Sequence, residues 1–231
     1  MLEYLMAGGL IIIPLILSSI VAMVVIFSLF LTLKKSKVLP NGVAATATKL
    51  ALSGKVTPEH IKQIRDGSLL GRVLATGLES LGQPRHMMKE SIEESGRHVI
   101  HSMNKYMTTL GTVAAIAPLL GLLGTVVGMI SVFSVITAQG VGSPTELAGG
   151  ISQALVTTAF GITIAVPSLI FHRYFRGKIN DYAIEMEKEA IKLIGAVQMQ
   201  RPNTPTTNKA TQHPQQHKPL APSKMRRGQV A

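Results

Sequence analysis

The sequence predicts an all-α membrane protein with three transmembrane helices, the second and third extended into a cytoplasmic helical bundle. Three observations carry this. First, the 231-residue chain has only a moderate apolar share of 46%, yet its apolar residues are gathered into long blocks with the charges between them. Ile11 to Leu33, Tyr106 to Thr145 and Leu147 to Phe171 each hold no Asp, Glu, Lys or Arg. A helix needs about 20 apolar residues to cross a hydrocarbon layer of roughly 30 Å, so each block is long enough for one crossing. Second, all 23 Lys and Arg residues fall in two segments, 12 from Lys34 to Lys105 and 11 from Arg173 to Arg227. Basic residues beside spans are retained in the cytoplasm, which places the N-terminus outside and the C-terminus inside. Third, that arrangement requires an odd number of spans, and three supplies it.

The first span is read over about Leu10 to Leu33, with Pro14 near its start, where few backbone donors are lost. Residues 1–33 thus form an outward N-terminus and a first helix. No Lys or Arg precedes the block, and it exceeds the 7–15 residues of a signal-peptide core, so it reads as a retained anchor. Residues 34–105 form a polar cytoplasmic loop in which Leu50, Leu52, Ile61, Ile64, Leu69, Leu70, Val73, Leu74, Leu78 and Leu81 recur at helical spacing. Thr57-Pro58 marks a helix start there, the threonine as N-cap and the proline at the first helical position. The loop holds too few apolar residues for an independent domain.

From about Glu90 a helix is expected to run through Met103 and Met107 into the second span. Residues 106–171 make up a transmembrane hairpin, joined by a short connection around Gly140 to Gly150 that holds no Lys or Arg. The third span continues inward over residues 172–200, where Ile179, Tyr182, Met186, Ala190, Leu193 and Val197 form one apolar stripe suited to packing on neighbouring helices. Residues 201–231 are rich in Pro, Thr, Gln and basic residues and carry no acid, a composition that predicts a disordered basic tail. Tyr4, Phe30, Tyr106, Phe171, Tyr174 and Phe175 lie near the span ends, where a thin interfacial belt is expected.

Several function classes fall away. There is no cysteine for a disulfide or thiolate site, and the seven histidines are scattered, so no metal site or cofactor is expected. No nucleophile–base pair or phosphate loop suggests an enzyme. The net charge of +11 follows the alternation of spans rather than a nucleic-acid motif. Within the hairpin, Gly121, Gly124, Gly128 and Pro118 crowd the second span, and Gly161 and Pro167 belong to the third. Small residues at this spacing let two helices approach closely. Thr125, Gln153, Thr157 and Thr158 add polar groups that either satisfy themselves one turn back or border a hydrated path. No ionisable residue lies inside a span, so any intramembrane titrating group must come from a partner.

The runs Ala117-Pro118-Leu119-Leu120-Gly121-Leu122-Leu123-Gly124-Thr125-Val126-Val127-Gly128-Met129 and Gly150-Ile151-Ser152-Gln153-Ala154-Leu155-Val156-Thr157-Thr158-Ala159-Phe160-Gly161, with Ala165-Val166-Pro167 beyond, resemble the MotA/TolQ/ExbB proton-channel family. The resemblance covers about residues 1 to 197, and the three-span plan is most like its ExbB members, with TolQ next. It implies a homopentamer in the bacterial inner membrane whose second and third spans line a pore. In that pore would sit helices of an ExbD-like single-span protein carrying a membrane aspartate. Proton flow would energise a TonB-like protein for outer-membrane transport. Thr125 and Thr158 match the family's pore-facing threonines, while Gln153 stands where a glutamate is common and cannot titrate. A TolQ-like role in envelope constriction and a non-conducting membrane scaffold are the alternatives.

Overall fold

A computed structural model describes residues 9–140 and 144–200. The expected tail after Gln200, Tyr4 of the aromatic belt and residues 141–143 lie outside these described residues. The described chain is helical, with no strand among the described residues. A short 3-10 turn at Gly9–Ile11 leads into α1, Ile12–Thr32. Then come α2 Lys35–Val38, α3 Val43–Ser53, α4 Pro58–Gly67, α5 Leu69–Glu79 and α6 Arg85–Asn104. Two long helices follow, α7 Met107–Gln139 and α8 Pro144–Gln200. Three helical stretches, Gly9–Thr32, Arg85–Ala138 and Pro144–Met199, are long and apolar enough to cross a membrane.

In α1, Pro14 occupies the first turn, and Ser18 Oγ donates to the Pro14 carbonyl at 2.7 Å, so neither residue leaves a polar group stranded. Ile12, Leu15, Ala22, Val25 and Leu29 are buried along one face, whereas Ile13, Leu17, Ile20, Val24 and Phe27 stay exposed on the other. A helix apolar on all sides but packed on one is matched to lipid on the rest.

The segment between α1 and α7 folds on its own caps but not on its own core. Thr57 Oγ1 accepts the His60 N–H at 3.4 Å with Pro58 at the first helical position, as the sequence predicts. Ser68 caps α5 in the same way, accepting the Gly71 N–H at 2.9 Å. Leu70, Val73, Leu74 and Leu78 of α5 and Met88, Ile92, Val99 and Met103 of α6 then bury against the C-terminal half of α8. All six residues of the predicted α8 stripe, Ile179, Tyr182, Met186, Ala190, Leu193 and Val197, are buried in that shared core. The loop lacks the apolar residues for independence because α8 provides the other half of its core.

The helix expected from about Glu90 through Met103 and Met107 into the second span is formed by α6 and α7, which meet in a turn at Lys105–Tyr106. Both residues keep right-handed dihedrals and Leu110 N–H still reaches the Tyr106 carbonyl at 3.2 Å, so the chain continues along its course. Three of the rings near the span ends pack on one another. Phe30 packs edge-on against Phe175 and Phe171, with ring centroids 4.9 and 5.7 Å away, and Phe175 is buried. These three rings join α1 to α8, while Phe30 itself, Tyr106 and Tyr174 keep exposed surface. Beside them the buried Tyr182 hydroxyl donates to the Leu33 carbonyl at 3.0 Å, satisfying an acceptor that the end of α1 leaves without a helical donor.

The stripe gives a direct test. Leu193→Ala removes a fully buried side chain and should destabilise the purified protein by about 2–5 kcal/mol. Ile191→Ala, two residues away on an exposed position, should leave the unfolding temperature in detergent almost unchanged. Equal losses at both positions would contradict the packing of α8 described above.

Candidate functional site: the small-residue hairpin

The order of contacts shows that α7 and α8 run antiparallel. Gly111 lies against His172, Gly121 against Thr158 and Gly161, and Gly128 against Gly150 and Ala154. Glycine is required at several of these levels because backbone meets backbone. A β-carbon on Gly161 would lie 2.7 Å from the Ala117 carbonyl oxygen and 3.0 Å from the Gly121 Cα. One on Gly128 would lie 2.8 Å from the Gly150 carbonyl oxygen, and one on Gly124 would overlap the Thr157 side chain. Water-driven association does not operate between helices in lipid, so such close packing is what holds a pair together.

Gly121, Gly124, Gly128 and Gly161 are therefore at the helix–helix interface. Pro118 is half-buried beside it, and Pro167 is exposed, away from it. Gly111, one of the small residues crowding the second span, and Gly150, which heads the second motif, belong to the same interface. The signal for Gly150 was present in its spacing of four and eleven residues from Ala154 and Gly161, which continues one helical face.

The hydroxyls separate into two kinds. Thr112, Thr125, Thr163 and Ser168 donate to carbonyls three or four residues back in their own helix, at 2.9, 2.6, 2.7 and 2.7 Å. Thr157 does the same toward the Gln153 and Ala154 carbonyls, both at 3.0 Å. Thr158 instead crosses the hairpin and donates to the Gly121 carbonyl at 3.1 Å. Since Thr125 donates to Leu122, the two hydroxyls end on consecutive carbonyls of α7 and lie at one level of the hairpin.

The other two polar residues expected with them are placed differently. Thr157 has no exposed surface; it is enclosed against Gly124 and packs the interface rather than bordering an open surface of this chain. Gln153 sets its amide against Gly9, in the turn that leads into α1. Five residues at about 100° each turn Gln153 roughly 140° around α8 from Thr158, so one surface cannot take both. The sequence spacing fixes that relative angle, but only the position of α1 decides which residue faces it.

Outside the interface the hairpin is apolar. Leu119, Leu122, Val126, Ile130 and Phe133 of α7 and Leu155, Ile162, Val166 and Ile170 of α8 are exposed. Among the described residues no buried side-chain polar atom lacks a partner, and no group of His, Asp and Glu is arranged to hold a metal ion. The site is thus a helical membrane hairpin, uncharged along its spans, glycine-packed, with two hydroxyls at one level and no titratable group of its own at that level.

Comparison with known proteins places this architecture. Residues 65–188 match the profile of the MotA/TolQ/ExbB proton channel family, a stretch that contains α7 and the membrane part of α8. The chain belongs to that family. It is similar to a biopolymer transport protein ExbB of Aquifex aeolicus, 29% identical over 136 residues, covering 56% of this chain and 91% of that protein. It is also similar to two putative ExbB-like biopolymer transport proteins of Synechocystis sp.. The first is 28% identical over 176 residues, with 75% of this chain and 69% of the relative covered. The second is 28% identical over 191 residues, with 79% and 89% covered.

The interface can be probed by two glycines of opposite environment. Gly161→Val must push against the Ala117 and Gly121 backbone, which has no rotamer to adopt, and should cost at least the roughly 1–3 kcal/mol typical of overpacking. Gly96→Ala in α6 meets open space and should raise stability slightly, by about 0.5–1 kcal/mol. Thermal unfolding of both variants in detergent checks the contrast.

Proposed function

We propose that the chain is the ExbB-like subunit of a proton-motive-force-driven machine of the bacterial inner membrane, working in biopolymer transport with an ExbD-like partner and a TonB-like protein. The observation that carries this reading is the glycine-packed hairpin, its spans free of charged residues, lying wholly inside the stretch that matches a proton channel family. A hairpin without carboxylates, amines or imidazoles along its spans cannot itself pass a proton between titrating groups. It can enclose another chain's helix that carries one. The names of the relatives, biopolymer transport proteins, support the transport role.

In this assembly several copies, five by analogy with the family, surround the partner's helices, and Thr125 and Thr158 face them. Thr157, Gly121, Gly124, Gly128 and Gly161 hold the wall together, and Gln153 ties the wall to α1. Residues 1–33 anchor the periphery, 34–105 and 172–200 form the cytoplasmic bundle, and 201–231 form a basic tail. The basic segments face the cytoplasm and the N-terminus the periplasm, following the retention of Lys and Arg. The subunit is a motor component rather than an enzyme.

Thr158→Val tests the reading, because valine keeps the shape and removes the hydroxyl. Loss of one hydrogen bond costs about 0.5–1.5 kcal/mol, too little to dissolve the assembly. With the partner co-expressed, the variant should assemble normally while proton-motive-force-dependent uptake falls sharply. Full uptake would instead favour a passive scaffold, and a constriction defect with normal uptake would favour the TolQ-like role.

A further inference from the structure

Where α8 leaves its uncharged span, it forms one wall of an open cleft of about 790 Å³, opposite the junction of α6 and α7. Six polar residues line it: Asn104 and Thr108 from the junction, and His172, Arg173, Arg176 and Asn180 from α8. No acidic residue lines it. Among the described residues, neither Arg173 nor Arg176 forms an ion pair, although ion pairs occur elsewhere in the bundle. Both arginines thus border a cleft that no acidic side chain lines. Toward the span, the same helix exposes Leu169, Ile170 and Val166. A ligand seated here meets positive charge and hydrogen-bond donors at one end and apolar surface at the other.

We propose that this cleft is a binding site for an anionic glycerophospholipid of the cytoplasmic leaflet, its phosphate held by Arg173 and Arg176 with Asn104, Thr108 and Asn180 as further hydrogen-bonding groups. The acyl chains lie along the exposed apolar side of α8. Guanidinium groups suit this task because their planar donors match phosphate oxygens in pairs. Free inorganic phosphate shares the headgroup's chemistry but makes no use of the apolar surface beside it, which is why the lipid is the assigned ligand. Bound there, the lipid fills the gap between the α6–α7 turn and α8, a place the chain's own side chains leave open. The proposal rests on the membrane crossing of α8 and not on proton conduction.

The test uses the full-length chain purified in neutral detergent and titrated with phosphatidylglycerol, phosphatidylcholine or inorganic phosphate while its unfolding temperature is followed. Phosphatidylglycerol should raise that temperature saturably, and the other two should not. The Arg173→Gln/Arg176→Gln double variant should weaken the apparent affinity by roughly 30-fold, the loss expected for two basic contacts at an anionic surface. Asn180→Asp, which places a carboxylate in the cleft at almost unchanged size, should weaken it in the same direction and serves if the double variant folds poorly. Lys34→Gln/Lys35→Gln, basic residues outside the cleft, should leave binding intact. Equal responses to phosphatidylglycerol and phosphatidylcholine, an equal loss in the Lys34/Lys35 variant, or a full response to inorganic phosphate would each overturn the assignment.

Discussion

The approach of α7 to α8 at Gly121 and Gly161 sets the terms for everything around it, because there the two backbones touch with no side chain between them. In water such a pair would be driven together by burying apolar surface, but in lipid the surroundings are as apolar as the helices. What distinguishes the paired state is contact distance. The glycines make contact possible, and Thr157, enclosed against Gly124 with its hydroxyl bonded within α8, fills the remaining space without leaving a polar atom unpaired. The crossing bond from Thr158 to the Gly121 carbonyl forms only at this separation. Polar geometry in the hairpin is thus a consequence of glycine packing and not an addition to it.

The same helix carries the constraint beyond the hairpin. At about 1.5 Å per residue, the 57 residues of α8 extend roughly 85 Å, well beyond any bilayer core. Its C-terminal half is the element on which α3, α5 and α6 pack, so membrane hairpin and bundle share one unbroken helix. The aromatic contacts of Phe30 with Phe171 and Phe175, and the bond from Tyr182 to the Leu33 carbonyl, fasten α1 where the two halves meet. At the other end of α1, Gln153 lies against Gly9. The first span is therefore held to α8 near both ends, while its outer face remains apolar and exposed.

How much of this the sequence discloses depends on the kind of regularity involved. The α8 stripe is legible residue by residue, because burial repeating every three to four positions leaves its period in the sequence. Thr57-Pro58 is legible because capping is a local affair. The glycine face of the hairpin is legible for Gly121, Gly124, Gly128 and Gly161, and the family resemblance rests on the same residues. Contacts set by tertiary placement are not. Nothing local distinguishes Thr158, which bonds across the hairpin, from Thr157, which bonds back along its own helix. The turn of Gln153 toward Gly9 needs the location of α1, and the short turn at Lys105–Tyr106 falls in residues of ordinary helical character. The contact of Phe30 with Phe175 is not legible either, because composition registers position along a helix but not the neighbour at that position.

The hydrogen bonds of Thr125 and Thr158 also say what these two hydroxyls can offer an approaching group. Each has one proton and two lone pairs, and in both the proton is already directed to a carbonyl of α7, Leu122 for one and Gly121 for the other. What remains toward the outside is acceptor capacity. In the proposed assembly, a carboxylate arriving from a partner helix would find two acceptors and no donor, in a setting where burying its charge is costly. A protonated carboxyl or a water molecule would find partners for its O–H. The arrangement therefore favours the neutral form of a partner's acid at this level of the hairpin, and loss of its proton favours movement away from it. A wall that binds one protonation state better than the other converts proton transfer into a difference in position, which is the requirement for coupling a gradient to motion.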